Sequence, residues 1–306
     1  MSAAGPAATA GERPSFGARL TRAMDADGPL CVGIDPHPGL LHAWGLPDDA
    51  SGVRELALRV MDAVGGRVAA VKPQSALFER HGAVGVAVLE EVVAAGRATG
   101  TLVIVDAKRG DIGSTMAGYA DAYLRDGSPL AGDALTVSPY LGFGSLSPAV
   151  EAAAATGRGL FVLALTSNPE GASVQHAVGP DGRSVARVVA EEAAALNAAE
   201  LGRADATAEP RSARAVLGST GLVVGATIGD AARRLGVDLA AVGGPLLAPG
   251  VGAQGAGPAE LADVFGAARG AVLASSSRGV LAAGPQVAAL RAAALRAAAD
   301  AAAALA

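Results

Sequence analysis

With Cys31 as its only cysteine, the 306-residue chain can form no intrachain disulfide. The thiol sits in an apolar run, where a small buried hydrophobe is expected, and a reducing, cytoplasmic setting fits. Basic residues are not in excess: 24 Lys and Arg stand against 29 Asp and Glu, for a net charge of -5, so nothing points to a nucleic-acid surface. Aromatic residues make up only 3% of the chain, a scarcity that goes with its weight of Ala and Gly and carries no functional reading. Trp44 and Phe78 are expected to pack rather than to stack on a ligand. No stretch reaches the roughly 18 uninterrupted apolar residues of a membrane span. The Ala-rich C-terminus comes nearest, but it carries Arg291, Arg296 and Asp300 and reads as a soluble helix. Residues 1–14 lack the basic and apolar regions of a secretory signal and are expected to be a disordered tail. His37, His42, His81 and His176 share no spacing that suggests a metal site and are expected in loops or on the surface.

What is present is a core divided into short segments. Hydrophobic residues are 51% of the chain and charged ones 17%, ample for a sizeable interior. Apolar runs at 30–34, 68–71, 101–105, 134–137, 159–165, 222–226, 246–248 and 271–274 read as strands, with helical patterns between them. Ser15 is placed to cap a first helix carrying Phe16, Leu20 and Met24 at i, i+4, i+8. Further helices are expected over 51–64, 83–98, 150–155, 184–201, from 231 and from 286, and one with Met116, Tyr119 and Tyr123 on a stripe and Ser114 as its cap. Such alternation spells an α/β chain. An open doubly wound sheet would also fit. The strand count, a length of about 250 residues without tail and insert, and charges gathered at strand C-termini favour a closed (β/α)8 TIM barrel. It is expected as a single domain over 15–306, with an extended connection between strands five and six, 166–221, whose polar stretch 203–212 has no periodicity.

The run TLVIVDAKRGD at 101–111 ends in three charges at the spacing D-x-K-x-x-D. Side chains alternate along a strand, so Asp106 and Lys108 share a face, while Asp111 falls where the chain turns. Burying a carboxylate and an ammonium is costly unless they pair, which leaves a compensated ion network or a charged active site. Asp35 follows the first strand and Lys72 the second. In a barrel all strand C-termini open on one face, so Asp35, Lys72, Asp106 and Lys108 would meet in one mouth and keep one another ionised. An ion network closing the top would explain the same residues, but residues closing a barrel need not be charged. After strand seven, PGVGAQGAG offers backbone N–H groups where glycine allows close approach, with Gln254 inside the loop; after strand eight, Arg278 supplies a fork for an oxyanion. Many such barrels hold a phosphate there.

GIDP at 33–36, VKPQ at 71–74, DAKRGDIGST at 106–115, TSNP at 166–169, PGVGAQG at 249–255 and SSR at 276–278 occur in this order. Together they resemble the orotidine 5'-phosphate decarboxylase family, in particular its longer bacterial, type 2 branch. The resemblance implies a cofactor-free decarboxylation of orotidine 5'-monophosphate (OMP) to UMP and CO2 in de novo pyrimidine synthesis, on a homodimer of TIM barrels, with no metal, nucleic-acid or membrane partner. By motif it implies Lys108 as proton donor to C6, Asp106 against the substrate carboxylate, and Lys72 and Asp35 at the ribose hydroxyls. It places Ser167 at the pyrimidine ring, with Pro169 in the same substrate-binding segment, and Gln254 and Arg278 at the phosphate. Asp111, Ile112 and Thr115 would enter the neighbouring subunit's site. Two alternatives stand beside it. A Mg2+-dependent sugar-phosphate decarboxylase or lyase of the same superfamily shares D-x-K-x-x-D, but GIDP, VKPQ and DAKRGDIG argue against it. A non-catalytic nucleotide-binding barrel would have no need of a proton donor beside two carboxylates.

Overall fold

In the computed structural model, which describes residues 13–204, 215–251 and 255–306, helix α1 (Phe16–Asp27) starts at Ser15, whose Oγ accepts the Ala18 amide. Its buried stripe is Phe16, Leu20 and Met24. The strands are β1 (Leu30–Ile34), β2 (Ala70–Pro73), β3 (Leu102–Arg109), β4 (Ala134–Val137), β5 (Gly159–Leu165), β6 (Thr220–Val224), β7 (Leu246–Pro249) and β8 (Val272–Ser276). Each pairs in parallel with the next, and β1 also pairs with β8, Leu30 opposite Ala274, so the sheet closes into a (β/α)8 barrel. Parallel neighbours need a crossover. Helices Ala50–Val64, Gly82–Thr99, Gly113–Leu124, Ser147–Thr156, Val185–Ala204 and Pro258–Phe265 supply it, whereas β6 and β7 are joined across the single turn Ala231–Arg234. Helix Val287–Leu305 packs back on Ala50–Val64 and β1.

Strands covered on both faces read as continuous apolar runs, which is why β1 and β6 are buried at every position. One core lies between strands and helices, and a second fills the barrel with Cys31, Ile104, Phe161, Leu247 and Leu273. From below, α1 closes this inner core. Phe16 meets Phe161 edge to face, ring centroids 5.9 Å apart, and burying a side chain of that size contributes about 1.5–3 kcal/mol. Gly159 makes room for it, since a Cβ there would lie 2.1 Å from Phe16 Cδ1.

Strand ends differ from the hydrophobic runs. β2 lies at Ala70–Pro73 rather than 68–71, β3 continues to Arg109, β6 starts at Thr220, and β8 ends at Ser276. Hydrophobicity marks only the part of a strand that the core covers, whereas the extended chain continues through Lys72 on β2 and through Asp106 and Lys108 on β3, where they face the mouth. Ser114 does not cap its helix; Ile112 occupies that position, without a side-chain bond. His81 lies in a turn, as expected, with its side chain largely buried, 3.9 Å from Asp48. Trp44 packs, its Nε1 donating to Leu281 O at 3.3 Å, and Phe78 is fully buried. Of the segment expected as a tail, only Arg13 and Pro14 are described, with Arg13 donating to Thr156 O at 3.1 Å. Most of the polar stretch 203–212 lies outside the described residues. Among the described residues no helix is long and apolar enough to cross a membrane.

Candidate active site

The site begins with an irregularity in β3. Val105 faces Leu135 on β4, but the next matched pair is Arg109 with Val137, so β3 bulges between them. Lys108 lies in the bulge at φ 47°, the one non-glycine residue with positive φ among those described. A side chain in that left-handed region costs of order 1–2 kcal/mol, so neighbours must hold it there. On one side Arg109 is anchored between the rings of Tyr119 and Tyr123, 5.4 and 5.6 Å from their centroids, and pairs with Glu79. On the other side the Lys108 amide donates to Thr136 Oγ1 at 2.9 Å.

The bulge turns Lys108 toward Asp106. Lys108 Nζ lies 2.6 Å from Asp106 Oδ1, and Lys72 Nζ lies 2.7 Å from Oδ2. Thr136 Oγ1 donates to Oδ1 at 2.9 Å and Gln74 Nε2 to Oδ2 at 3.1 Å, so both oxygens are doubly engaged. Burial by itself would raise the Asp106 pKa; the ammoniums of Lys72 and Lys108 and their hydrogen bonds overcome it and hold the group at about 2. Burial likewise opposes charge on Lys72, but Asp106 and then Asp35 outweigh it and the pKa is raised. The pairing therefore favours the charged forms of Asp106 and Lys72.

Asp35 follows β1 and has a buried Oδ1 without a hydrogen-bond partner. The chain comes close here because of Gly33: a Cβ would stand 1.8 Å from Ser277 Oγ and 3.1 Å from Asp35 Oδ2. Above these groups opens a cavity of about 1200 Å³, whose walls include Asp35, Lys72, Asp106, Lys108, Ser167 and Arg278. Arg278 opens a single helical turn after β8, and its exposed side chain has no partner among the described residues. A carboxylate acceptor for hydroxyls after β1, charged groups on β2 and β3 and a free guanidinium after β8 can together orient a polyhydroxylated anion.

The model of the orotidine 5'-phosphate decarboxylase / HUMPS family matches residues 28–293. The chain belongs to that family. It is 61% identical to the orotidine 5'-phosphate decarboxylase of Salinispora arenicola over 278 residues, 91% of this chain and 94% of that one. It is 59% identical to the enzyme of that name from Streptomyces coelicolor over 277 residues, 90% and 93% of the two chains. A solved structure from Streptomyces avermitilis, 58% identical, superposes with a TM-score of 0.86 over 96% of this chain and 97% of its own. That of the Leishmania donovani OMP decarboxylase, 31% identical, does so with 0.66 over 92% and 94%.

Within this decarboxylase-family barrel, Asp35, Lys72, Asp106, Lys108, Ser167 and Arg278 line one cavity. Other candidates lie outside it. Asp111 stands apart from the array, its Oδ1 taken by the Ile112 amide at 2.8 Å, and Ile112 and Thr115 point out, Ile112 being 61% exposed. None of the three lines this chain's cavity; they follow β3, at the turn and in the first part of the next helix. Pro169 opens an exposed 3-10 turn and lies outside the lining as well. Gln254 lies outside the described residues. Sequence reasoning missed Gln74 and Thr136. Gln74 stood in plain view as the last residue of VKPQ; Thr136 had no signal beyond being a polar residue in an apolar four-residue strand.

Proposed function

We propose that the protein converts OMP to UMP and CO2, in de novo pyrimidine synthesis, with Lys108 as proton donor to C6. The observation that carries this is the Lys72–Asp106–Lys108 array, an ionised carboxylate between two ammoniums at 2.7 and 2.6 Å on the floor of an open mouth. Loss of CO2 leaves an electron pair on C6. An ammonium already beside that carbon stabilises the charge as it develops, then delivers its proton. Asp106, held ionised, faces the substrate carboxylate, and departure of CO2 relieves their repulsion. The open acceptor of Asp35, with Lys72, takes ribose hydroxyls, and Ser167 reads the pyrimidine ring beside Pro169. Arg278 and Gln254 hold the phosphate, whose remote binding energy is used at the transition state. No metal or cofactor is required by this scheme.

The active form is a homodimer in which Asp111, Ile112 and Thr115 complete the partner's site. Ile112, Tyr140 and Leu141, large apolar side chains on the segments that follow neighbouring strands β3 and β4, are exposed, which supports such an interface. The cytoplasm is the proposed location. The test follows the ultraviolet absorbance of OMP with purified protein, with and without EDTA, beside an Asp106→Asn, Lys108→Ala double variant. Metal-independent loss of substrate that vanishes in the variant is expected. Turnover abolished by EDTA would favour the Mg2+-dependent sugar-phosphate lyase; UMP binding without turnover would favour the non-catalytic barrel.

A further inference from the structure

We infer that Thr136 is a positioning residue for the proton donor, acting through one hydroxyl on both Lys108 and Asp106. Its catalytic consequence rests on the role proposed above for Lys108; its geometry does not. The bulge leaves Lys108 without a residue opposite it on β4. Its amide donates instead to Thr136 Oγ1 at 2.9 Å, and that same hydroxyl donates to Asp106 Oδ1 at 2.9 Å. No ambiguity of direction exists. A backbone amide can only donate and an ionised carboxylate can only accept, so the hydroxyl takes the first bond on a lone pair and spends its one proton on the second. Thr136 is 1% exposed, and water does not compete for either bond.

One oxygen therefore spans the two groups whose relative placement matters. It pins the left-handed backbone from which the ammonium is hung, and it pins the carboxylate that the ammonium touches. The bond from the Lys108 amide holds the residue in its left-handed conformation, and the bond to Asp106 ties that backbone to the carboxylate. When Lys108 gives up its proton, Asp106 Oδ1 loses its cationic partner and keeps the threonine. Valine has nearly the same shape but neither donor nor acceptor. It would leave the Lys108 amide unpaired, release the bulge and free the carboxylate to turn. Serine keeps the oxygen and loses only a methyl group, so shape and hydroxyl can be separated.

The experiment compares Thr136→Val and Thr136→Ser with the unsubstituted enzyme by steady-state decarboxylation, UMP affinity, thermal unfolding and hydrogen exchange at the Lys108 amide. The valine variant should lose about tenfold or more in kcat, one hydrogen bond to a charged group, with KM and UMP affinity changed by about twofold at most. The serine variant should recover kcat to within about threefold, and the Lys108 amide should exchange at least about tenfold faster in valine than in serine. A packing role alone gives the opposite order, because valine fills the site and serine does not. Normal kcat and amide protection in the valine variant, or a serine variant as impaired as valine, would overturn the inference. If valine prevents folding, Thr136→Ala against Thr136→Ser repeats the comparison, differing by one oxygen. If the unsubstituted enzyme fails to turn over OMP, the decarboxylase reading falls, and the exchange rates still decide whether the hydroxyl holds Lys108.

Discussion

Both ends of the barrel carry ions, and they use them differently. At the N-terminal end a hollow of about 240 Å³ is ringed by Arg13, Arg19, Arg97 and Arg158, with Asp133 among them. Their bonds end on the protein. Arg158 donates to Gly132 O at 2.8 Å, Leu124 O at 3.1 Å and Asp126 at 2.6 Å. Arg19 pairs with Asp133 and donates to Gly157 O at 3.0 Å, while the second oxygen of Asp133 takes the Val103 amide at 2.9 Å. At the C-terminal mouth, by contrast, Asp35 Oδ1 is unpartnered, Arg278 is free among the described residues, and the Lys108 side chain is 44% exposed. Charge at a barrel end does not mark function; bonding capacity left open toward a cavity does.

The strongest way to break that contrast is at the mouth. Lys108→Ala should lower turnover by about a thousandfold or more, with UMP affinity changed far less, since the ammonium acts on charge that develops only in the transition state. Near-normal turnover in steady-state assays would remove the proposed mechanism. At the other end, Arg158→Ala should remove about 3 kcal/mol of unfolding free energy in urea titrations, because two buried carbonyls lose their donor, while kcat stays within about twofold. A catalytic defect with stability intact would show that the lower network is not merely structural.

A smaller effect separates the ends by pH. Asp106 titrates at about 2 in the fold against an ordinary 3.8, so folding favours its ionised form. The resulting stabilisation, about 2 kcal/mol, is fully present above about pH 4 and is lost as pH falls toward 2. Urea unfolding at pH 5, 4 and 3 should show this slope, and Asp106→Asn should flatten it. Smallest is the response of Cys31, whose thiol burial pushes up to about 12. At pH 8 the native protein should not react with an aromatic disulfide, whereas urea-unfolded chain should react at once; prompt labelling of the native form would mean that the inner core opens.

Much of this was legible in the residues. The strand and helix alternation, the cap at Ser15 and the closure into a barrel followed from apolar periodicity, and Asp35, Lys72, Asp106 and Lys108 were placed together by the rule that strand C-termini share a face. Thr136 was not legible, because its role depends on a bulge on the neighbouring strand, and a bulge has no hydrophobic signature. The separation of Asp111 from the array was legible in part, because side-chain alternation ends with the strand and Asp111 falls beyond it, where the chain turns.

Burial of apolar surface is a local demand, so the sequence by itself determined where strands and helices lie, that their order builds a (β/α)8 barrel, and which charged side chains sit at the mouth. Which of those charges are satisfied is a matter of distances between residues 35, 72, 106, 136 and 278. Those distances exist only once the sheet has closed. The tertiary structure alone therefore decided that Asp106 is saturated, that Asp35 and Arg278 are left open, and that Lys108 is held in a strained turn beside the cavity.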